Sequence, residues 1–591
     1  MRGVGRRIAR AVLVVPVAVV SVVSSFQFAV GQAAPHGRQV FVFTIEHAGL
    51  GDLLSTSGFL ALAQHGGASL LSMTHPSDAT FELSHAQRVG RGVLPFWSGG
   101  DLGSMAGRDG TPSPEKLTAA AHRVARAIDG SLAARALVFV VSSSPPAAAG
   151  AFGDQLGAVV MTEGRPSDLV AAMRAAPNST GPPHSLTSDS TRRNGVVTSQ
   201  DLATTTISFS DIKILVNDPG GAEIRVVDAP PPTDLLARYL QYRRLTVPIG
   251  AAAALFVTIA GLVALAMLLW SGSSRWLRSL MSWVAIAAPF LALSLLLVGH
   301  LPSLTYAGVI PFLIATTALA AVVLVPIAHR WGTLVSIAVA GTMLLGALVV
   351  EGILGWSAAL TPLLGGSQLD GGRYFGLPNA FIGLLLGGSV YVAQRLHRAA
   401  GSALIFAFGL FAGSPWTGSN IGAAVTLFAG AGIWWALDGD LTWWQTAVAT
   451  ALATIAGMGL VIVAHRYLTS APTHITRFVE HTGGLSGIWT KIVDRLSVGT
   501  HLIASNPFAL VPVIGVLGTL ALVLRPPAQV RITFEEAPVW RTALLTILLG
   551  SVVAYLVNDS GAAAIGEGFT TAFGGLLYVS LLRRNGIMET S

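Results

Sequence analysis

The sequence predicts an α-helical polytopic membrane bundle of about 11–12 transmembrane segments, carrying an N-terminal extracytoplasmic α/β domain. Three observations predict it. Apolar runs of about 20 residues, long enough to cross a hydrocarbon core, recur from Val247 to Leu582. Only 11% of residues are charged, against about 25% in soluble domains, and the mean hydropathy is +0.64. Residues 36–242 break this pattern, being far less apolar and alternating short apolar strands with helical stretches.

The formal charge of +7 is no sign of nucleic-acid binding, because much of it stands beside apolar segments, where positive-inside placement accounts for it. Cysteine is absent, which excludes disulfides, thiolate metal sites and cysteine nucleophiles.

Residues 1–35 begin with Arg2, Arg6, Arg7 and Arg10, followed by an apolar run from Ala11 to Val30. This is a signal peptide, with small residues for cleavage at Gly31–Ala34, or a retained signal anchor, which the length of the run favours. Either sends residues 36–242 outside. In that domain Gln39–Ile45, Ala68–Met73, Ala136–Ser142 and Ala158–Thr162 read as strands, and Thr56–Gln64 and Lys116–Ile128 as helices. Strands apolar on both faces and alternating with helices predict a parallel sheet covered on both sides. Pro145–Gly150 and Pro177–Ser190 read as loops, Pro230–Pro232 closes the domain, and Asp234–Arg244 forms a stem.

Residues 243–591 form the polytopic part. Eleven apolar segments follow Val247, several of them, such as Ser402–Ala412, short enough for half-helices. With the N-terminal segment the total is twelve, which puts both termini in the cytoplasm. Charge agrees: Arg275, Arg278, Arg330, Arg395, Arg398, Arg525, Arg531, Arg541, Arg583 and Arg584 all fall inside, while the short outer loops carry little beyond Arg373. Asp438 and Asp440 on an inner loop run against the rule. The outer segment Arg466–Asn506 is mixed in charge and amphipathic around Ile488–Leu502.

Four polar motifs then share the outer face: Asp370–Asn379, Gly413–Asn420, Thr473–Arg477 with Glu480 and His481, and Asn558–Gly561. Polar groups at the edge of hydrocarbon are costly unless paired or lining a wet cavity, so the grouping predicts an outward-facing cavity. Its candidate binding residues are Asp370, Arg373, Tyr374, Asn379, Asn420, His474, Arg477, Asn558, Asp559 and Ser560. Arg373 offers a two-point grip on phosphate or carboxylate. Asn379 and Asn420 stand at helix starts, whose N–H groups favour anions. Asp370 and Asp559 are partners for Arg373 or proton carriers, and His474 is a proton shuttle or phosphate contact. Each also has an ordinary reading: the asparagines as caps, Asp370–Arg373 as a structural ion pair, the histidines as solvated groups.

Two parts of the chain carry a resemblance to known proteins. Thr44–Leu50, Phe59–Gly66, Ser190–Val197 and Asp201–Thr205 resemble segments of the alkaline-phosphatase-like fold. Arg373–Gly376 with Asn379, Gly418–Gly422 and Asn558–Gly561 are similar to stretches of uncharacterised actinobacterial-type polytopic membrane proteins that carry a degenerate domain of that fold. The resemblance implies a phosphatase ancestry for residues 36–242. Glu46 stands where that superfamily has its first metal-binding Asp, and Ser142-Ser143-Ser144-Pro145 where it has Ser-Asp-His-Gly. The expectation is therefore a domain without metal or other cofactor.

The expected function is binding or transport of an anionic or lipid-linked cell-envelope intermediate by a multi-pass plasma-membrane protein. The alternatives are an envelope lipid transferase or phosphatase, with Asp370 or His474 as base, and a non-catalytic scaffold that recruits other envelope proteins. No Gly-x-x-x-x-Gly-Lys-Ser/Thr motif occurs, so an ion gradient is the expected energy source for any active transport.

Overall fold

The computed structural model describes residues 38–46, 48–72, 97–104, 112–129, 131, 133–142, 156–174, 182–209, 222–270, 272–364, 366–370, 375–469, 493, 510–558 and 561–586. The N-terminal segment 1–35, Arg373, Tyr374, His474, Arg477, Asp559, Ser560 and, apart from Val493, the Ile488–Leu502 stretch lie outside them. The chain divides into two compact units. One runs to Arg243 and includes Ser367–Phe375; the other holds Arg244–Gly366 and the chain from Gly376 onward.

The first unit is built on one sheet. Its elements are β1 (Arg38–Glu46), α1 (Leu50–Ser55), α2 (Ser57–His65), β2 (Gly67–Ser72), β3 (Trp97–Ser104), α3 (Pro114–Asp129), β4 (Arg135–Ser142), β5 (Leu156–Gly164), α4 (Pro166–Arg174), β6 (Ser185–Ser188), β7 (Val196–Thr198), α5 (Ser199–Phe209) and β8 (Ile224–Val227). The strand order is β3-β1-β4-β5-β2-β6-β8, with β7 also on β2. Val40, Val42, Leu137, Phe139, Val159 and Leu186 interlock in its core. In α3, Leu117, Ala120, Ala121, Val124 and Ile128 recur at helical spacing and are buried.

The expected parallel sheet is corrected. Parallel pairs join β1 to β3 and β4, and β2 to β6 and β7, but β5 lies antiparallel between β4 and β2, and β8 antiparallel to β6. Apolarity on both faces reports burial, not strand direction. The expected loop Pro177–Ser190 contains β6, a polar strand held by its ladder with β8.

The second unit is helical: α6 (Thr233–Leu269, beginning just before the boundary), α7 (Arg275–Leu297), α8 (Tyr306–Trp331), α9 (Thr333–Ile353), α10 (Ile382–Ala393), α11 (Arg398–Gly413), α12 (Ile421–Asp438), α13 (Trp443–Tyr467), α14 (Leu510–Leu524), α15 (Ala528–Glu536), α16 (Pro538–Val557) and α17 (Gly561–Arg584). A helix stands wherever an apolar segment was expected after Val247. Among the described residues eight are long and apolar enough to cross a membrane, or nine if α14 and α15, bent by 68°, make one span. The chain thus fits a multi-pass membrane protein. Of the eleven segments expected after Val247, α10 and α11 are too short to cross by themselves, and the N-terminal segment counted as the twelfth lies outside the described residues. At 1.5 Å per residue the 12 residues of α10 cover about 18 Å of a hydrocarbon core about 30 Å thick.

Hydroxyls inside these helices turn back on their own backbone. Thr446, Thr450 and Thr454 of α13 each donate to the carbonyl four residues earlier, which satisfies these three hydroxyls in an apolar setting. Across helices, Tyr578 donates to Leu324 O at 3.2 Å, Tyr578 and Ser336 share a hydrogen bond of 2.7 Å, and Gln394 donates to Leu334 O at 2.9 Å.

The two ends of this unit differ chemically. One end collects arginines that close helix C-termini. Arg398 Nε donates to Trp435 O at 2.6 Å, Arg584 donates to Met267 O at 3.1 Å, and Arg278 Nε donates to Asn585 Oδ1 at 2.9 Å. Arg583 pairs with Glu536 at 2.6 Å. The other end gathers Asn379, Asn420 and Asn558.

Candidate functional site

The amide-rich end is made by two loops lying against each other. Gly376 has φ +97°, and a Cβ there would fall 1.9 Å from Gly418 O, so only glycine allows the approach. Leu377 N then donates to Gly418 O at 2.8 Å, and Asn420 N to Ala412 O at 2.9 Å. Across the junction, Asn420 Nδ2 donates to Leu377 O at 2.8 Å and to Asn379 Oδ1 at 3.0 Å. Its Oδ1 accepts from Ala423 N at 2.9 Å and caps α12.

Asn558 ends α16 and donates from Nδ2 to Ala554 O at 2.9 Å. Its Oδ1 rests on the first turn of α12, where a Cβ on Gly422 would lie 1.9 Å away. Asn379, Asn420 and Asn558 thus join the starts of α10 and α12 to the end of α16. Asn420 and Asn558 are buried and Asn379 is half-buried.

The side chains of Asn379 and Asn420 both have partners within the protein. The α12 start is capped by Asn420 itself, and Asn379 opens a 3-10 turn, Asn379–Phe381, with its carbonyl oxygen turned to Asn420. These two side chains hold the scaffold. Asp370 ends another 3-10 turn, Gln368–Asp370, in the part of the Asp370–Asn379 stretch that belongs with the α/β unit. In that unit, Ser367 N donates to Tyr242 Oη at 3.1 Å, Arg193 donates to Gln368 Oε1, and the Arg192 guanidinium stacks 4.9 Å from the Phe375 ring centre. Burial lowers the pKa of Arg192 from its ordinary value, partly opposed by the neighbouring Asp189.

Several groups at this end escaped sequence reasoning. Buried Glu351 on α9 bonds His300 through Oε1 and accepts from Ala358 N at 3.3 Å through Oε2. Trp356, fully buried with φ +61°, donates from its indole to Thr417 O, and Thr417 Oγ1 donates to Phe411 O at 2.6 Å. Together these tie the α9 end to the Gly413–Asn420 loop. A single carboxylate inside an apolar run was the available signal, for Glu351 and equally for Glu567 on α17.

In the α/β unit the polar centre is Asp201. It is fully buried and accepts from Ser188 Oγ and Ser190 Oγ at 2.7 Å and from Thr198 N and Ala222 N at 2.8 Å. It clasps β6, β7, α5 and the lead into β8. No group of three or more His, Asp or Glu poised for a metal occurs among the described residues.

No protein-family model, curated protein or solved structure matches this chain.

Proposed function

We propose that this multi-pass membrane protein binds or transports an anionic or lipid-linked cell-envelope intermediate through a cavity at its amide-rich end, which faces the cell exterior. The observation that carries this reading is the convergence of Asn379, Asn420 and Asn558 where α10, α12 and α16 meet, opposite the arginine-lined end. Arginine-rich ends face the cytoplasm, which turns the asparagine end outward. The sequence next to this scaffold supplies the ligand chemistry: Arg373 for a phosphate or carboxylate, and Asp559 and Ser560 directly after Asn558.

Residues 36–242 then lie outside the plasma membrane, as a cofactor-free relative of the alkaline-phosphatase-like fold. Native mass spectrometry of the detergent-purified chain beside Arg373→Ala tests the reading. A defined envelope lipid carried by the wild type and lost from the variant is the expected result. If both carry the same lipid complement, or neither carries one, the reading fails.

A further inference from the structure

Two acidic side chains are buried in the helical unit among the described residues. Glu351 is engaged by His300 and Ala358 N. Glu567 is 5% exposed, and its buried Oε2 meets no hydrogen-bond partner.

Glu567 lies on the helix around which the unit is assembled. α7, α10, α14, α16 and the Asn379–Phe381 turn all pack on α17. A Cβ on Gly568 would fall 1.8 Å from Ser551 Oγ of α16, and one on Gly574 would fall 2.6 Å from Ala285 O of α7, so α16 comes close to the α17 backbone at the residue next to Glu567, and α7 about two turns further on. The residue is six positions past Gly561, about 9 Å along the axis from the end that carries Asn558.

Among the described residues, the titratable groups on the elements packed against α17 give it no counter-charge. On α7, Arg278 is bonded to Asn585 at the far end of α17, and Arg275 lies beyond it. Arg541 opens α16, and Arg531, Glu535 and Glu536 stand on α15 near Arg583, all toward that same end. Tyr391 of α10 donates to Thr571 O. Tyr555 of α16 is a phenol near Asn558, and Glu351 of α9 is already paired. An ionised carboxylate without a partner costs several kcal/mol in such surroundings, so this packing favours the neutral acid.

We propose that Glu567 is a proton-binding site of the membrane unit, exchanging its proton with the side that carries Asn379, Asn420 and Asn558. The ligand is the proton itself, and the proposal does not depend on the lipid reading. It supplies a group through which a proton gradient can act on the helix that holds the unit together.

Dicyclohexylcarbodiimide, an apolar reagent for protonated carboxyls, tests it on the full chain in lipid vesicles. The acid O–H adds across one C=N bond, oxygen to carbon and proton to nitrogen. An acyl shift then leaves a stable N-acylurea that peptide mass mapping locates. The chain has no cysteine to compete for the reagent.

Glu567 is expected to be modified at about pH 5 and at least about tenfold less at about pH 9, as for a titrating acid. Glu567→Gln removes this adduct and leaves those elsewhere. Because the adduct is mapped on the wild type, the result holds even if the variant folds poorly. Labelling that is absent at every pH, or unchanged across the range, overturns the proposal. Protection by sodium at constant pH overturns it in favour of a metal-cation site.

Discussion

Asn420 is the side chain on which the amide-rich end depends, and replacing it separates two of its roles. Asn420→Ala removes the α12 cap, worth about 1 kcal/mol, and two donations, to Leu377 O at 2.8 Å and Asn379 Oδ1 at 3.0 Å. Each lost buried bond costs about 1 kcal/mol or more, giving about 3 kcal/mol in all, with incomplete additivity. Asn420→Asp is ordinarily a mild change at a helix start, because the cap is kept. Here it turns the donating Nδ2 into an oxygen facing two acceptors, with a buried charge added, and is expected to cost about 3–5 kcal/mol. The order Asp at least as damaging as Ala is therefore the reverse of what capping alone predicts. Intrinsic fluorescence on heating reads it, since the chain has 13 tryptophans. At about 2–4 °C per kcal/mol the midpoint should fall by roughly 6–12 °C for Asn420→Ala and by roughly 6–20 °C for Asn420→Asp, at matched scan rates. An Asp variant that melts with the wild type would show that Asn420 is only a cap.

Four further variants follow from the same geometry. Gly376→Ala meets both a positive φ and the Gly418 carbonyl, and should lose at least about 2–3 kcal/mol, seen as reduced folded yield and a lower midpoint. Asp201→Ala strips four donors of their acceptor in the α/β unit and should cost about 3 kcal/mol; hydrogen exchange in residues 185–209 should speed up while α12 and α16 stay protected. Glu351→Ala leaves Ala358 N and His300 without their carboxylate and should cost about 2–4 kcal/mol, whereas Glu567→Gln, which removes no pairing among the described residues, should leave the midpoint within about 1 kcal/mol of the wild type.

Hydropathy located every long helix of the second unit, because a run apolar all round has few other solutions. It said less about span. Ile382–Ala393 is as apolar as its neighbours, yet its 12 residues follow a 3-10 turn and do not continue into a longer helix. In the α/β unit, Gln39–Ile45 and Ala136–Ser142 were legible as buried strands. The direction of β5 was not, since Leu156–Gly164 is as apolar in an antiparallel ladder as in a parallel one. β3, with Gly99 and Gly100 inside it, carries almost no strand propensity and is held by its ladder with β1. At the candidate site the three asparagines could be grouped from topology alone. That Asn420 spends its whole amide on Leu377, Asn379 and Ala423 depends on two loops about 40 residues apart meeting at Gly376 and Gly418, and no local pattern encodes that.

The central claim is that the amide-rich end and the α/β unit face outward. Since the chain has no cysteine, single cysteines can be placed without clearing a background. Trp416→Cys marks the exposed loop at the amide-rich end, Lys116→Cys the α/β unit, and Ala528→Cys the exposed start of α15 at the arginine-lined end. A membrane-impermeant maleimide applied to intact cells should label the first two and reach the third only after lysis. Labelling of Ala528→Cys in intact cells with Trp416→Cys silent would contradict the account and place the asparagine cluster in the cytoplasm.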